Sequence, residues 1–110
     1  MKMIQIFSDS GAVGMRMRDI LYEDGFADIT VSAVSAMPEH PRDHILIIYA
    51  KSNIAGLMQN LSGCGCRVIL LLNPDCYAMY LDRARHCGFT LLLMPVAPFM
   101  LLDAVRSAIS

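Results

Sequence analysis

The sequence predicts a single α/β domain, residues 1–110, built on a five-stranded parallel sheet. Three observations lead there. Five short apolar runs recur along the chain, separated by segments with a helical period. Two of these runs, Ile45-Leu46-Ile47-Ile48-Tyr49 and Val68-Ile69-Leu70-Leu71-Leu72, show no polar alternation, as strands covered on both faces require. A chain of 110 residues also has room for one core and not two.

Met3-Ile4-Gln5-Ile6-Phe7 reads as the first strand. Residues 11–24 read as a helix, with Val13, Met17, Ile20 and Leu21 on one face and Arg16, Asp19 and Glu23 on another. Gly25 stands where a helix C-cap is expected. Ile29-Thr30-Val31-Ser32-Ala33 is half polar, which suits an edge strand. The third strand is the run at 45–49, and residues 52–61 form a weaker helical segment. After the fourth strand, Asn73-Pro74 opens a helix, with Asn as N-cap and Pro at the first helical position. Leu81, Ala84 and Cys87 mark its inner stripe and Gly88 ends it. Leu91-Leu92-Leu93-Met94 is the fifth strand. Pro98 begins the last helix, with Phe99, Leu102, Val105 and Ile109 inward. One crossover is defective. Between Val34 and His44 lie Pro38, Pro41 and charged residues with no sustained helical period, so the helix due there is lost or cut to about one turn.

Composition excludes several classes. The chain is 55% hydrophobic and 17% charged, against a usual charged share of about 25%. That excludes intrinsic disorder and leaves apolar surface to meet a partner. A net charge of −1 provides no positive field for nucleic acid. No run approaches the roughly 20 apolar residues of a membrane span. The first strand begins at once, without the basic start, apolar middle and small-residue cleavage site of a leader. The expectation is a cytoplasmic protein with reduced thiols.

Several groups of residues bear chemistry, each with a plainer structural explanation beside it. Ser8-Asp9-Ser10-Gly11-Ala12-Val13-Gly14 follows a strand and opens a helix, where backbone N–H groups can hold an anion. It resembles the phosphate loop of flavodoxins, but a turn capped by Ser10 or Asp9 explains it more simply. It lacks the first glycine of a dinucleotide fingerprint. Cys64, Cys66, His86 and Cys87 fall at one end of the sheet and offer soft ligands for zinc, but Cys64 and Cys66 do not have the common C-x₂-C spacing. Buried thiols explain the same residues, so no metal and no cofactor is expected. His40, His44 and His86 form no evident triad with a nucleophile, and an enzyme is not expected. Arg16, Arg18, Arg83 and Arg85 read as solvated helix faces without interleaved aromatics.

The last third of the chain carries a family resemblance. Gly88 precedes an apolar strand, followed by Met94-Pro95-Val96-Ala97-Pro98-Phe99-Met100-Leu101-Leu102-Asp103-Ala104-Val105-Arg106. This resembles the receiver domains of bacterial response regulators, which run Lys-Pro-Val/Phe-x-Pro before a helix with a Leu-x-x-Ala-Ile/Val stripe. The resemblance spans essentially the whole chain. It implies a flavodoxin-like sheet of order 2-1-3-4-5 and a cis peptide bond before Pro95. It also marks the positions of a phosphorylation pocket, and there the chain departs from the family. Ser8 and Asp9 fall on the acidic pair that holds Mg²⁺. Tyr49 falls on the phosphoacceptor Asp, Leu72 on the Thr/Ser and Met94 on the Lys. One carboxylate among Tyr, Leu and Met is a poor magnesium site, and no carboxylate nucleophile is left.

The expected function is therefore that of a pseudo-receiver, which mediates protein–protein contact in bacterial signalling or transcriptional control without an aspartyl-phosphate switch. The expected partners are a second copy of the chain or a signalling or transcription regulator, with no nucleic acid or membrane bound by this domain. Family members dimerise through the helix before the last strand, that strand and the last helix. Tyr77, Tyr80, Phe99, Met100 and Leu101 are the residues expected there. The alternative is a flavodoxin-like binder of a phosphate-bearing ligand at residues 8–14. The chain is expected to be either a full protein or one domain of a longer regulator.

Overall fold

The computed structural model describes residues 3–37, 44–63 and 65–109. Their elements run β1 (Met3–Ser8), α1 (Gly11–Glu23), β2 (Ile29–Ser32), β3 (His44–Tyr49), α2 (Ile54–Leu61), β4 (Arg67–Leu72), α3 (Pro74–Cys87), β5 (Thr90–Leu93) and α4 (Pro98–Ile109). The five strands form one sheet in the order β2-β1-β3-β4-β5, and every neighbouring pair is parallel. This is the architecture the alternating pattern predicts.

Alternation along each strand divides the core into two layers. Ile4 and Ile6 of β1, Ile45, Ile47 and Tyr49 of β3, Ile69 and Leu71 of β4 and Leu92 of β5 face one side, under α1 and α4. Phe7, Leu46, Ile48, Val68, Leu70 and Leu72 face the other, under α2 and α3. Each fully buried Leu or Ile contributes about 1.5–3 kcal/mol of transfer free energy, so the two layers together are the main source of stability. The helices are ended by their expected signals. Ser10 caps α1, its side chain accepting from the Val13 N–H at 3.3 Å. Gly25 and Gly88 follow α1 and α3 at φ of 98° and 77°, a left-handed backbone that favours glycine.

The crossover from β2 to β3 holds, among the described residues, one 3₁₀ turn, Val34–Ala36. Val34 and Met37 pack onto the α2/α3 layer from there. Beyond them the sheet face is polar, because Thr30 and Ser32 of β2 are exposed on that side while Ile29 and Val31 pack under α1. Pro38 and Pro41, which predict the loss of the helix, lie outside the described residues, as does His40.

Two helices are rotated from the faces the sequence suggests. α4 seats Leu101, Val105 and Ala108, with Leu102 half-buried, while Phe99 and Ile109 turn outward. A helix that is apolar on most sides does not fix its own rotation. The sheet selects the stripe that fits, and here it selects the one ending in the small Ala108. α3 seats Tyr77, Tyr80 and Ala84 against the core, in place of a stripe of Leu81, Ala84 and Cys87. No helix among the described residues is long and apolar enough to cross a membrane.

Candidate functional site

The carboxyl ends of β1, β3, β4 and β5 meet at one crest, and the main chains of the expected pocket converge there. Ser8 lies opposite Tyr49 in the β1–β3 register. The Asp9 N–H donates to the Tyr49 carbonyl at 2.9 Å, and the Met94 N–H donates to the Leu72 carbonyl at 2.9 Å. The peptide bond between Met94 and Pro95 is cis, as the resemblance implies.

Side chains divide the set. Tyr49 is only 5% exposed and its ring belongs to the α1/α4 layer, with Met94 packed against the same layer. Leu72 does not join them. It points into the α2/α3 layer, because Leu70 and Leu72 alternate with Ile69 and Leu71. The residue that returns to Tyr49 is the next one, Asn73, whose Oδ1 accepts from the Tyr49 hydroxyl at 3.2 Å. Reading the strand's last apolar residue as the pocket position missed Asn73. The signal was available in the strict alternation of β4.

The one surviving carboxylate is already engaged. Asp9 Oδ2 accepts from the Lys51 N–H at 2.8 Å, so it clasps the loop after β3 to the loop after β1. Ser8, the other member of the expected pair, is buried and turned back on its own loop. Its hydroxyl donates to the Ser10 carbonyl at 2.6 Å and its oxygen accepts from the Ser10 N–H at 3.1 Å. The crest thus presents a phenol, an amide, a thioether and one bonded carboxylate. That set offers no second hard oxygen charge for Mg²⁺ and no carboxylate at the nucleophile's place.

The same bonds define the 8–14 stretch. The N–H groups of Asp9, Ser10, Val13 and Gly14 donate to Tyr49, to the Ser8 hydroxyl, to the Ser10 hydroxyl and to the Ser10 carbonyl. The turn is capped from within at these four N–H groups, which could take an anion only by giving up their present acceptors. Gly14 is needed for packing, since a Cβ there would meet Val31 Cγ1 at 2.9 Å and Ser8 Cβ at 3.2 Å.

At the opposite end of the sheet, no three His, Cys, Asp or Glu side chains among the described residues gather to hold a metal. The His86 ring nitrogen Nδ1 lies 2.9 Å from the Asp82 carbonyl, one turn back in its own helix. Cys66 and Cys87 are half-buried, and Cys64 lies outside the described residues.

The expected interface residues separate into three groups. Phe99 and Met100 are exposed, at 66% and 45%. Leu101 is a correction: it is fully buried, at the head of the stripe that seats α4. Tyr77 and Tyr80 are half-buried and brace α3 against the core. On α3 and β5, Met79 and Leu93 are exposed apolar residues that the sequence reading did not single out. Met79 was legible once Tyr77, Tyr80 and Ala84 are read as the inner stripe, because it falls on the opposite side of the helix.

No family model matches the chain, and no curated protein sequence matches it. A solved structure does. The crystal structure of a response regulator receiver protein from Burkholderia phymatum aligns with a TM-score of 0.70, over 98% of this chain and 94% of that one, at 20% sequence identity. The fold is the receiver fold, a flavodoxin-like sheet of order 2-1-3-4-5 with helices on both faces.

Proposed function

We propose that this chain is a pseudo-receiver, a receiver-fold module that works by protein–protein contact and is not switched by aspartyl phosphate. The observation that carries the reading is Tyr49. It stands at the end of β3 with its ring buried and its hydroxyl bonded to Asn73, where the chemistry requires a free carboxylate. Asp9, committed to the Lys51 N–H, and Met94, without charge, support it from either side. The reading places the protein in the cytoplasm, in bacterial signal transduction, as a non-enzyme without a cofactor. Its partners are a second copy or a regulator protein. The contact surface runs across the β5–α4 junction and onto α3, with Leu93, Phe99, Met100 and Met79 as exposed apolar anchors, and Tyr77 and Tyr80 brace α3 behind Met79. Leu101 is not part of it.

Native mass spectrometry tests both halves of the proposal. The protein is incubated with Mg²⁺ and a small acyl phosphate and sprayed from a volatile buffer. The expected spectrum is a dimer at the unmodified mass, converted to monomer by Met100→Asp. Gain of one phosphoryl group overturns the non-switching half, and a monomer in the unsubstituted protein overturns the self-association half.

A further inference from the structure

Helix α3 is the longest helix among the described residues and the one with the fewest fully buried side chains. It has 14 residues, and Ala84 alone is fully buried. α2 buries Ile54, Leu57, Met58 and Leu61 within 8 residues, and α1 and α4 bury three residues each. The other inward residues of α3, Cys76, Tyr77 and Tyr80, are only partly covered. Elements with few buried apolar contacts open at lower free energy than the core around them.

The start of α3 is held by a different device. Asn73 is its N-cap, with φ of −67° and ψ of 159°, where an Asn oxygen ordinarily accepts from a first-turn N–H. The Asn73 side chain makes no such bond. Its Oδ1 accepts from the Tyr49 hydroxyl instead, across 24 residues of sequence, while its carbonyl receives the N–H groups of Cys76 and Tyr77 at 3.0 Å each. Tyr49 is a rigid post, its ring fixed in the α1/α4 layer. The bond therefore passes over the crest and ties α3, on one face, to the core of the other. An aromatic ring needs no hydroxyl to be buried, so filling the core does not account for a tyrosine here.

We propose that the Tyr49–Asn73 hydrogen bond is a latch that holds α3 on the sheet, and that α3 opens as a unit from its Ala84 seat when the latch is broken. This is a property of the fold and holds whether or not the chain dimerises or binds a regulator. Native-state hydrogen exchange on the whole chain tests it. Tyr49→Phe keeps the ring and removes only the donor. The amides of Cys76 and Tyr77, and of the turn that follows, should exchange about tenfold faster, a factor within reach of one hydrogen bond. The amides of Leu101 and Val105 in α4 should not change. Unchanged exchange in α3 overturns the latch. So does equal acceleration in both helices, which would make Tyr49 a core residue and nothing more. Asn73 supplies an independent pair of variants should Tyr49→Phe fold poorly. Asn73→Ala should accelerate α3 alone, and Asn73→Asp, which retains an acceptor oxygen, should protect it as the parent does. Parent-like protection in Asn73→Ala, or lost protection in Asn73→Asp, also overturns the proposal.

Discussion

On one face of the sheet, α1 and α4 press Met17, Leu21, Leu101 and Val105 onto an unbroken apolar floor, and Arg106 of α4 reaches back to Asp24 at 2.6 Å. On the other face, α2 is as firmly seated, α3 rests on Ala84, and the crossover beside β2 holds only a 3₁₀ turn among the described residues. The difference is written into β2. A strand buried on both faces would be apolar throughout, whereas β2 alternates, with Ile29 and Val31 under α1 and Thr30 and Ser32 exposed on the opposite side. The exposed apolar residues of β5 and α4 do not collect beside that polar side of β2. Leu93, Phe99 and Met100 lie at the far edge, across the β5–α4 junction.

The largest effect expected from breaking this comparison is at the tightly packed face. Leu101→Ala removes a fully buried side chain beneath α4 and should lower unfolding stability by about 2–5 kcal/mol in a urea titration. The outcome discriminates between the seated stripe and the one the sequence suggested. If Leu101 stood at an interface, the same substitution would leave monomer stability nearly intact and weaken association instead.

A smaller effect on the same face comes from its closest approach. At Gly14, α1 lies so close to β2 that a Cβ there would stand 2.9 Å from Val31 Cγ1. Gly→Ala inside a helix ordinarily stabilises by about 1 kcal/mol. Here the methyl must push a β-branched side chain off its rotamer, so Gly14→Ala should destabilise by about 1–3 kcal/mol. A double-mutant cycle isolates the cause. In a Val31→Ala background the added methyl should cost little or stabilise, and an undiminished penalty there would move the strain elsewhere.

How much of this was legible depended on whether a segment's pattern admits one solution or several. β3 and β4 admit one, so two central strands covered on both faces could be read from their unbroken apolar runs, while the sheet order followed from the resemblance carried by residues 88–106. The half-polar β2 was also readable, because Thr30 and Ser32 leave only one face to bury. α4 admits several, since Pro98, Phe99, Leu101, Leu102, Val105 and Ile109 surround much of the helix. Only the fit of Ala108 against the sheet selects among them. The crest failed for a related reason. Leu72 ends an apolar run and draws the eye, yet the strand's alternation sends it to the other face and returns Asn73 to Tyr49. No local signal announces that an Asn placed as an N-cap will accept from a phenol 24 residues away instead of from its own helix.

The smallest expected effect sharpens the contrast most, because it compares adjacent residues of one strand. Thr30 and Val31 have the same backbone setting in β2 and differ in what lies above them. Above Thr30 the described residues leave solvent, and above Val31 stands α1. Thr30→Lys should change unfolding stability by no more than about 0.5 kcal/mol, as at other exposed sites, and a lysine on an edge strand also discourages edge-to-edge pairing. Val31→Lys must bury or displace an ammonium beneath α1 at Gly14, and should be several-fold more destabilising. Paired urea titrations of the two variants measure the asymmetry directly. If Thr30→Lys proves as damaging as Val31→Lys, something covers the polar side of β2 in solution, and the two faces are more alike than their side chains imply.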